Sequence, residues 1–177
     1  MISINRATIE DYKTIVEIGN VSVEEAHRAS SPAKYLNEFI KKNYNNEAIK
    51  SELSDERNIY TIIKVDDEPA GFSKIVFNSE HSNIQLKNVT KLDRIYLLSK
   101  FFGLKLGFEL LKFNIDLSKK NNQSGIWLFT WTGNNRAINF YLKTGFTIIG
   151  SHNYQVSATY SNPNHQMLLD IVEAKFI

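Results

Sequence analysis

The chain has 177 residues, of which 42% are hydrophobic and 23% charged, the composition of an ordinary globular protein. Its net charge of +2 comes from basic and acidic residues that are interspersed, which argues against nucleic acid or a membrane surface as a partner. The lack of cysteine excludes disulfides, thiolate metal sites and a cysteine nucleophile, and agrees with the reducing cytoplasm. No apolar signal core or membrane-length run is present. We therefore expect one cytoplasmic domain over residues 1–177.

Hydrophobic periodicity in the first half of the chain predicts a strand, three helices and a hairpin. Thr8 with Asp11 resembles a capping box, which opens the first helix. A proline at position 32 fits the first turn of the second helix. The predicted elements are a strand at 2–7, helices at about 9–28, from 32 and at 46–53, and strands at 58–65 and 70–77.

The second half of the chain follows a polar loop at 78–88 and alternates between strands and helices. The predicted elements are a strand at 92–98, a helix from about 103, a strand at 125–132, a helix at 134–143, a strand at 146–156, a turn at 162–164 and a strand at 165–171. We predict an α/β (α+β) fold with a mixed, mostly antiparallel sheet of about seven strands and helices on both faces.

A strand, a glycine-bearing turn and a helix occupy residues 92–111. Gly103 and Gly107 bracket the start of the helix, and Leu106 and Leu110 follow at helical spacing. The first turn of a helix has backbone N–H groups without intrahelical acceptors, and the positive end of the helix dipole lies there as well. This junction is therefore a candidate site for a phosphate group.

A second block fits the signature N-x-x-A-x-x-x-Y-x-x-x-G-F through Asn134, Ala137, Tyr141, Gly145 and Phe146. Together with the turn at 102–107, it resembles the Gcn5-related N-acetyltransferase (GNAT) superfamily over essentially the whole chain. Within the superfamily, four stretches are similar to the bacterial spermidine/spermine N-acetyltransferase branch. These stretches are 92–96, 126–131, 136–146 and 150–154. The resemblance implies an enzyme that uses acetyl-CoA to acetylate a small amine. No metal site is indicated, because the four histidines lack the spacing of a ligand cluster.

The resemblance also implies where acetyl-CoA binds. Backbone groups at 95–97 would pair with its pantetheine arm, and the amides of the turn would hold its pyrophosphate. Phe102 stands where the family generally has Gln or Arg, and Lys105 stands where it has Gly. Lys105 loses the conformational freedom of glycine but adds a cation; a turn that no longer binds CoA is the alternative. The implied cofactor-binding residues are Ile95, Tyr96, Leu97, Phe102, Gly103, Leu104, Lys105, Leu106, Gly107, Phe108, Asn134, Ala137, Phe140, Tyr141 and Lys143.

Two residues of the second block have both a structural and a functional interpretation. Tyr141 could be a packing aromatic on an amphipathic helix, as its neighbour Phe140 is. The resemblance instead implies that the Tyr141 phenol protonates the leaving thiolate. Asn134 could cap its helix, contact CoA, or do both.

An alkylammonium acceptor must lose a proton before it attacks, since free alkylamines are mostly protonated at pH 7. Strand alternation puts Asp93 on the same face as Ile95 and Leu97, from which it could act as the base through water. A carboxylate paired with Arg94 or a lysine is the alternative interpretation of Asp93. The other candidate bases are Glu24, Glu25, His27 and His152.

The resemblance implies a polyamine acceptor, which would need carboxylates and aromatic faces. The candidate substrate-binding residues are Glu24, Glu25, Tyr35, His152 and Tyr154. A peptide N-terminus, an amino sugar or an antibiotic is the alternative acceptor, and a non-catalytic sensor of acyl-CoA or polyamine is the alternative class. A homodimer is possible if the final strand at 165–171 is exposed.

Overall fold

The computed structural model describes residues 1–172. Its strands and helices follow the predicted order, with short 3-10 helices at Ile9–Asp11 and Ser99–Phe101. The elements are β1 (Ile2–Arg6), α1 (Tyr12–His27), α2 (Ala33–Asn43), α3 (Asn46–Ser54), β2 (Asn58–Val65), β3 (Glu68–Val76), β4 (Val89–Leu97), α4 (Leu106–Lys120), β5 (Gly125–Trp131), α5 (Asn135–Lys143), β6 (Thr147–Ser157) and β7 (Tyr160–Asp170). Within residues 1–172, no helix is long and apolar enough to span a membrane.

The seven strands form a sheet in the order β1-β2-β3-β4-β5-β7-β6. β4 and β5 are parallel, whereas β1 with β2, β5 with β7, and β6 with β7 are antiparallel. The predicted mixed α/β fold with a seven-stranded, mostly antiparallel sheet is therefore confirmed. By backbone contacts the chain divides into two compact units, and β4 and α4 each contribute to both.

The first unit contains Met1–Ile75 and Arg94–Phe113. Strand alternation gives β2 two apolar faces, each covered by different helices. Tyr60 and Ile62 belong to the cluster formed with α1, α2 and α3. Ile63, on the opposite face, packs with Leu106 and Leu110 of α4. The sheet of this unit therefore has a helix layer on each side.

The second unit contains Val76–Asp93 and the chain from Asn114 onward. Its central strand is β5, which is buried because it lies between β4 and β7. Trp127 packs with Ile84 and Val89, and its indole N–H donates to the carbonyl of Ser79 at 2.7 Å. The polar loop that follows β3 is therefore tied to β5.

The capping box predicted at the first helix is present. The Asp11 carboxylate accepts from the backbone N–H of Thr8 at 2.8 Å. The residues after Thr8 first form a 3-10 turn, so the α-helix begins at Tyr12 rather than at about residue 9. The capping motif was identified correctly, and only the type of the first turn differs.

The prediction of a turn at 162–164 and of an exposed final strand is wrong. β7 begins at Tyr160, includes Pro163, and lies between β5 and β6. Pro163 is tolerated because it lies one residue beyond the stretch that pairs with β5, and its carbonyl accepts from the Thr132 N–H at 3.0 Å. A homodimer through the final strand is not possible in this strand order, since β7 has neighbours on both sides.

Candidate active site

The turn before α4 has a left-handed backbone at two positions. Gly103 has φ +89° and Lys105 has φ +58°. The Lys105 carbonyl accepts from the N–H groups of Phe108 at 2.9 Å and Glu109 at 3.2 Å, and so begins the helix. The amides of Leu106 and Gly107 come before these two donors, in the first turn, where an α-helix leaves N–H groups without intrahelical acceptors. The geometry is that of an anion site.

The outer surface of this turn is open. Phe102 is 42% exposed, and a Cβ added at Gly103 would meet nothing within 4 Å. Lys105 takes the left-handed backbone that glycine adopts freely, although a side chain makes this conformation costly. Lys105 therefore adopts the left-handed conformation without being glycine.

The end of β4 presents its side chains alternately to the two helix layers of the first unit. Ile95 and Leu97 pack in the cluster with Leu106 and Leu110 of α4. Tyr96 points the other way and packs with the α1–α3 cluster. A Cβ at Gly71 would lie 2.4 Å from the Tyr96 carbonyl oxygen, so β3 approaches this part of β4 closely.

His27, the last residue of α1, contacts Tyr96 on the face of β4 that packs with α1–α3. Its Nε2 lies 3.1 Å from the Tyr96 hydroxyl, and the two rings meet edge to face. Burial lowers the pKa of His27 to about 4, which leaves the imidazole neutral at pH 7. His27 is therefore a poor base for an alkylammonium group, whose pKa lies several units higher.

A polar network in the first unit was not anticipated from the sequence. The Glu52 carboxylate pairs with Lys74 at 2.7 Å and Arg94 at 2.9 Å, and it accepts from the Tyr60 hydroxyl at 2.7 Å. Burial alone would raise the pKa of Glu52, but the two cations and the hydroxyl hold it below its usual range. Glu52 and Arg94 are 42 residues apart in sequence, so no local pattern links them.

The candidate carboxylates of α1 already have partners. Glu25 accepts from the Ser99 hydroxyl at 2.8 Å and from its backbone N–H at 3.3 Å, which fixes α1 to the segment after β4. Glu24 pairs with Arg28 at 2.7 Å on the helix surface. Tyr35 lies on α2, with the Lys34 ammonium 5.7 Å from its ring centre.

In the second unit, the helix α5 begins with a side-chain cap. The Asn134 side chain accepts from the Ala137 N–H at 3.1 Å, so the capping interpretation is confirmed. Phe140 and Lys143 lie on the same helix as Tyr141. Tyr141 is 6% exposed, and its ring centre lies 5.2 Å from that of Phe140 and 5.3 Å from that of Phe146. The ring is therefore held in one orientation.

Asp93 is paired with a lysine, as the second of its two interpretations predicted. Its carboxylate lies 2.7 Å from the Lys91 ammonium, and this ammonium lies 5.5 Å from the ring centre of Trp127. Arg94 pairs with Glu52. The parallel ladder between β4 and β5 runs from Val89 opposite Gly125 to Lys91 opposite Trp127, while β5 continues to Trp131. Asp93 lies beyond this ladder.

The prediction that Asp93 shares a face with Ile95 and Leu97 is wrong. The Thr90 hydroxyl donates to Ser118 of α4, so the face of Thr90 is turned toward this helix. Ile95 and Leu97 also contact α4, although strict alternation would put them on the other face from Thr90. Asp93 is on the face of its partner Lys91, so the alternation must change phase after Asp93.

Aromatic side chains surround Phe129 on the same side as Trp127. His152 stacks on Phe129 with ring centres 4.4 Å apart, and His81 meets Phe129 edge to face at 5.9 Å. Tyr154 follows two residues after His152 on β6 and is 38% exposed. Among residues 1–172, no group of three or more histidine, aspartate or glutamate side chains could hold a metal ion.

The sequence profile of the acetyltransferase (GNAT) family matches residues 20–146. This match spans well over half of the chain. The chain belongs to the GNAT acetyltransferase family. It is an N-acetyltransferase, and acetyl-CoA is the donor that this family uses.

Relatives of this acetyltransferase agree with that assignment. An uncharacterized N-acetyltransferase in the pepI 3′ region of Lactobacillus delbrueckii subsp. lactis is 24% identical over 151 residues, 85% of this chain and 87% of that protein. PaiA N-acetyltransferase from Thermoplasma acidophilum, solved with coenzyme A, has a TM-score of 0.77 at 21% identity, covering 96% of this chain and 99% of that one. The ribosomal-protein-S18-alanine N-acetyltransferase from Escherichia coli has a TM-score of 0.70 at 19% identity, covering 97% and 94%. These two structures share the fold.

Proposed function

We propose that this acetyltransferase moves the acetyl group of acetyl-CoA directly to a primary amine of a small molecule, a polyamine such as spermidine or spermine. We place the reaction in the cytoplasm, in keeping with a chain that lacks cysteine. The observation that carries the proposal is the left-handed turn at Gly103 and Lys105 before α4, in a chain whose family is known.

The first unit would hold the cofactor through backbone groups. The amides that begin α4 would bind the pyrophosphate, and the Lys105 ammonium would add a charge-assisted contact. The open surface at Gly103 leaves room for the phosphates. Backbone groups of Ile95–Leu97 would bind the pantetheine arm, as the family resemblance implies.

When bound, acetyl-CoA supplies the activated acyl group as a thioester. Tyr141 would then donate its phenolic proton to the departing sulfur. The packing of its ring against Phe140 and Phe146 supports this role, because a fixed ring orients its hydroxyl. Asn134 would support the same helix through its cap.

On the acceptor side, Asp93 would take up the ammonium proton through water. Its position beyond the β4–β5 ladder supports this role, and the neutral state of His27 argues against that histidine as the base. His152 and Tyr154 on β6 offer faces for the aliphatic and cationic parts of an amine. The polyamine class rests on the four stretches similar to the spermidine/spermine branch and on the likeness to PaiA N-acetyltransferase.

A CoA-release assay with acetyl-CoA and a panel of amines tests the proposal. The panel contains spermidine, spermine, an amino sugar and a short peptide. We expect turnover with the two polyamines, because each presents primary alkylammonium ends. Turnover only with the peptide would contradict the polyamine class and favour N-terminal acetylation, the reaction of the S18-alanine enzyme with which this chain shares its fold.

The variant Tyr141→Phe separates a catalyst from a non-catalytic sensor. We expect kcat to fall by about 100-fold, because the proton donor is lost, while acetyl-CoA affinity measured by calorimetry stays unchanged. Tyr160→Phe, which removes a phenol from β7 of the same unit, is the matched control. Equal turnover in Tyr141→Phe and the wild type would remove Tyr141 from the mechanism.

A further inference from the structure

Lys91 places a primary ammonium group between a carboxylate and an aromatic ring. The ammonium nitrogen lies 2.7 Å from the Asp93 carboxylate and 5.5 Å from the centre of the Trp127 ring. All three residues belong to the second unit. A carboxylate and an indole face are the two protein groups that best recognise an alkylammonium ion.

The location of this ammonium group connects it with the reaction. Lys91 and Trp127 form the last pair of the parallel β4–β5 ladder, and Asp93 lies two residues beyond Lys91. Phe129, two residues after Trp127, carries the stacked ring of His152. The site is therefore bordered by groups that the proposed function assigns to the acceptor.

Lys91 can leave this position without unfolding its strand. Its side chain is 28% exposed, so it is already partly in contact with water while its backbone lies in β4. Trp127 is buried at 3% exposure with Lys91 above it, so departure of the lysine would uncover part of the indole face and remove this cation from Asp93. A second primary ammonium would restore both contacts, because it has the same charge and the same three donors.

We propose that Asp93 and Trp127 form a binding site for one primary alkylammonium group, and that Lys91 is its resident occupant until the acceptor displaces it. This inference rests on the proposed function for the identity of the acceptor, but the binding of an ammonium group can be measured without any reaction. Lys91 then competes with the acceptor for this site and weakens acceptor binding. It also affects specificity, because only amines that can displace its ammonium group will bind.

Calorimetric titration of spermidine and of butylammonium into the protein, without acetyl-CoA, tests this site. Lys91→Met removes the competing charge but keeps a flexible apolar stem, and Lys91→Gln is a second variant if the first is poorly folded. We expect both amines to bind about tenfold more tightly to the Lys91 variant, as loss of an ion pair and a cation–π contact implies.

Lys87→Met is the matched control. It tests whether the loss of any one positive charge, rather than of Lys91 in particular, strengthens the binding of a polycation. Lys87 precedes the same strand, is 77% exposed, and pairs with Glu80 at 3.8 Å. We expect its variant to bind both amines as the wild type does. The addition of Asp93→Asn to Lys91→Met should abolish the gain in affinity. Equal affinity in the Lys91 and Lys87 variants, or a gain that survives Asp93→Asn, would overturn the proposal.

These outcomes are distinct from a failure of the proposed function. Turnover of no amine, together with tighter binding to Lys91→Met, would contradict the polyamine reaction but support the ammonium site. Turnover of spermidine with no difference between the Lys91 and Lys87 variants would support the reaction and contradict the site.

Discussion

At the scale of single residues, Lys105 combines a backbone cost with the contribution to cofactor binding proposed above. Its φ of +58° is a conformation that costs a residue with a side chain about 1–2 kcal/mol. The same residue starts α4 and brings an ammonium group to the amides proposed to bind pyrophosphate. These two effects belong to different atoms, so substitutions can separate them.

We expect Lys105→Gly to stabilise the protein by about 0.5–1 kcal/mol, because relief of backbone strain exceeds the greater entropy of glycine in the unfolded chain. Lys105→Ala should leave stability near the wild type but weaken CoA binding about five-fold, since it keeps the strain and loses one charge-assisted contact. Denaturant unfolding and calorimetry measure the two effects. The control is Lys112→Ala on the exposed surface of α4. Unchanged CoA affinity in Lys105→Ala would remove the proposed role of the ammonium group.

His27 makes stability depend on pH through its contact with Tyr96. The pKa of His27 is lowered to about 4 by burial, whereas an unfolded histidine titrates near 6.5. The unfolded chain therefore binds more protons between these values, and stability must fall as pH decreases from 6.5 to 4.

The full pKa shift of His27 corresponds to about 3 kcal/mol of unfolding free energy. We expect the free energy of unfolding to fall by about 2 kcal/mol between pH 6.5 and 4, because the ring is only partly buried. Denaturant unfolding at a series of pH values measures this loss. His27→Gln should remove this part of the pH dependence, whereas His152→Gln, at an exposed position, should retain it. An identical pH profile for His27→Gln and the wild type would contradict the assignment.

At the scale of elements, the side chains of β4 do not alternate strictly between the two faces of the sheet along the whole strand. Thr90 faces α4, Asp93 faces away from it, and Ile95 with Leu97 face it again. The strand can thereby present a carboxylate on one face and still pack its C-terminal half on α4. Its position is also set by β3, whose Gly71 leaves no space for a side chain.

We expect Gly71→Ala to destabilise the protein by about 1–3 kcal/mol, because its Cβ would meet the Tyr96 carbonyl at 2.4 Å and neither backbone can yield easily. CoA affinity should fall as well, since Ile95–Leu97 would be displaced. Gly150→Ala is the comparison, because its Cβ would meet side chains rather than backbone, the Asn83 amide nitrogen at 2.7 Å and the Gln166 amide oxygen at 3.4 Å. That variant should destabilise the protein less than Gly71→Ala does, since the Asn83 side chain can move, although it would lose its hydrogen bond to Gln166 at 2.8 Å. Equal effects of the two substitutions would contradict the role given to Gly71.

At the scale of the whole molecule, the placement of β7 determines which sheet edges remain available. β7 lies between β5 and β6, so the strands at the two ends of the order are β1 and β6. A homodimer stays a proposal, and strand pairing would have to involve one of these two edges. The prediction of a single domain over 1–177 also stays a prediction, as the chain divides into two compact units by backbone contacts.

Local patterns in the sequence alone determined the order of the elements, the Asn134 cap, the glycine-bearing turn before α4 and the family. Helical and strand periodicity, capping residues and the spacing of Asn134, Ala137 and Tyr141 depend on neighbours within a few turns of chain. These features were therefore accessible before the structure was known.

Only the tertiary structure decided the placement of β7, the phase change in β4, and the partners of Glu52, His27 and Lys91. Strand order and register decide the placement of β7 and the contact of Lys91 with Trp127, whereas the packing of α1 and α3 on the sheet decides the partners of His27 and Glu52. A shift of one residue in register turns every side chain to the other face. Local periodicity contains no information about that register, because it arises from the packing of segments that are far apart in the chain.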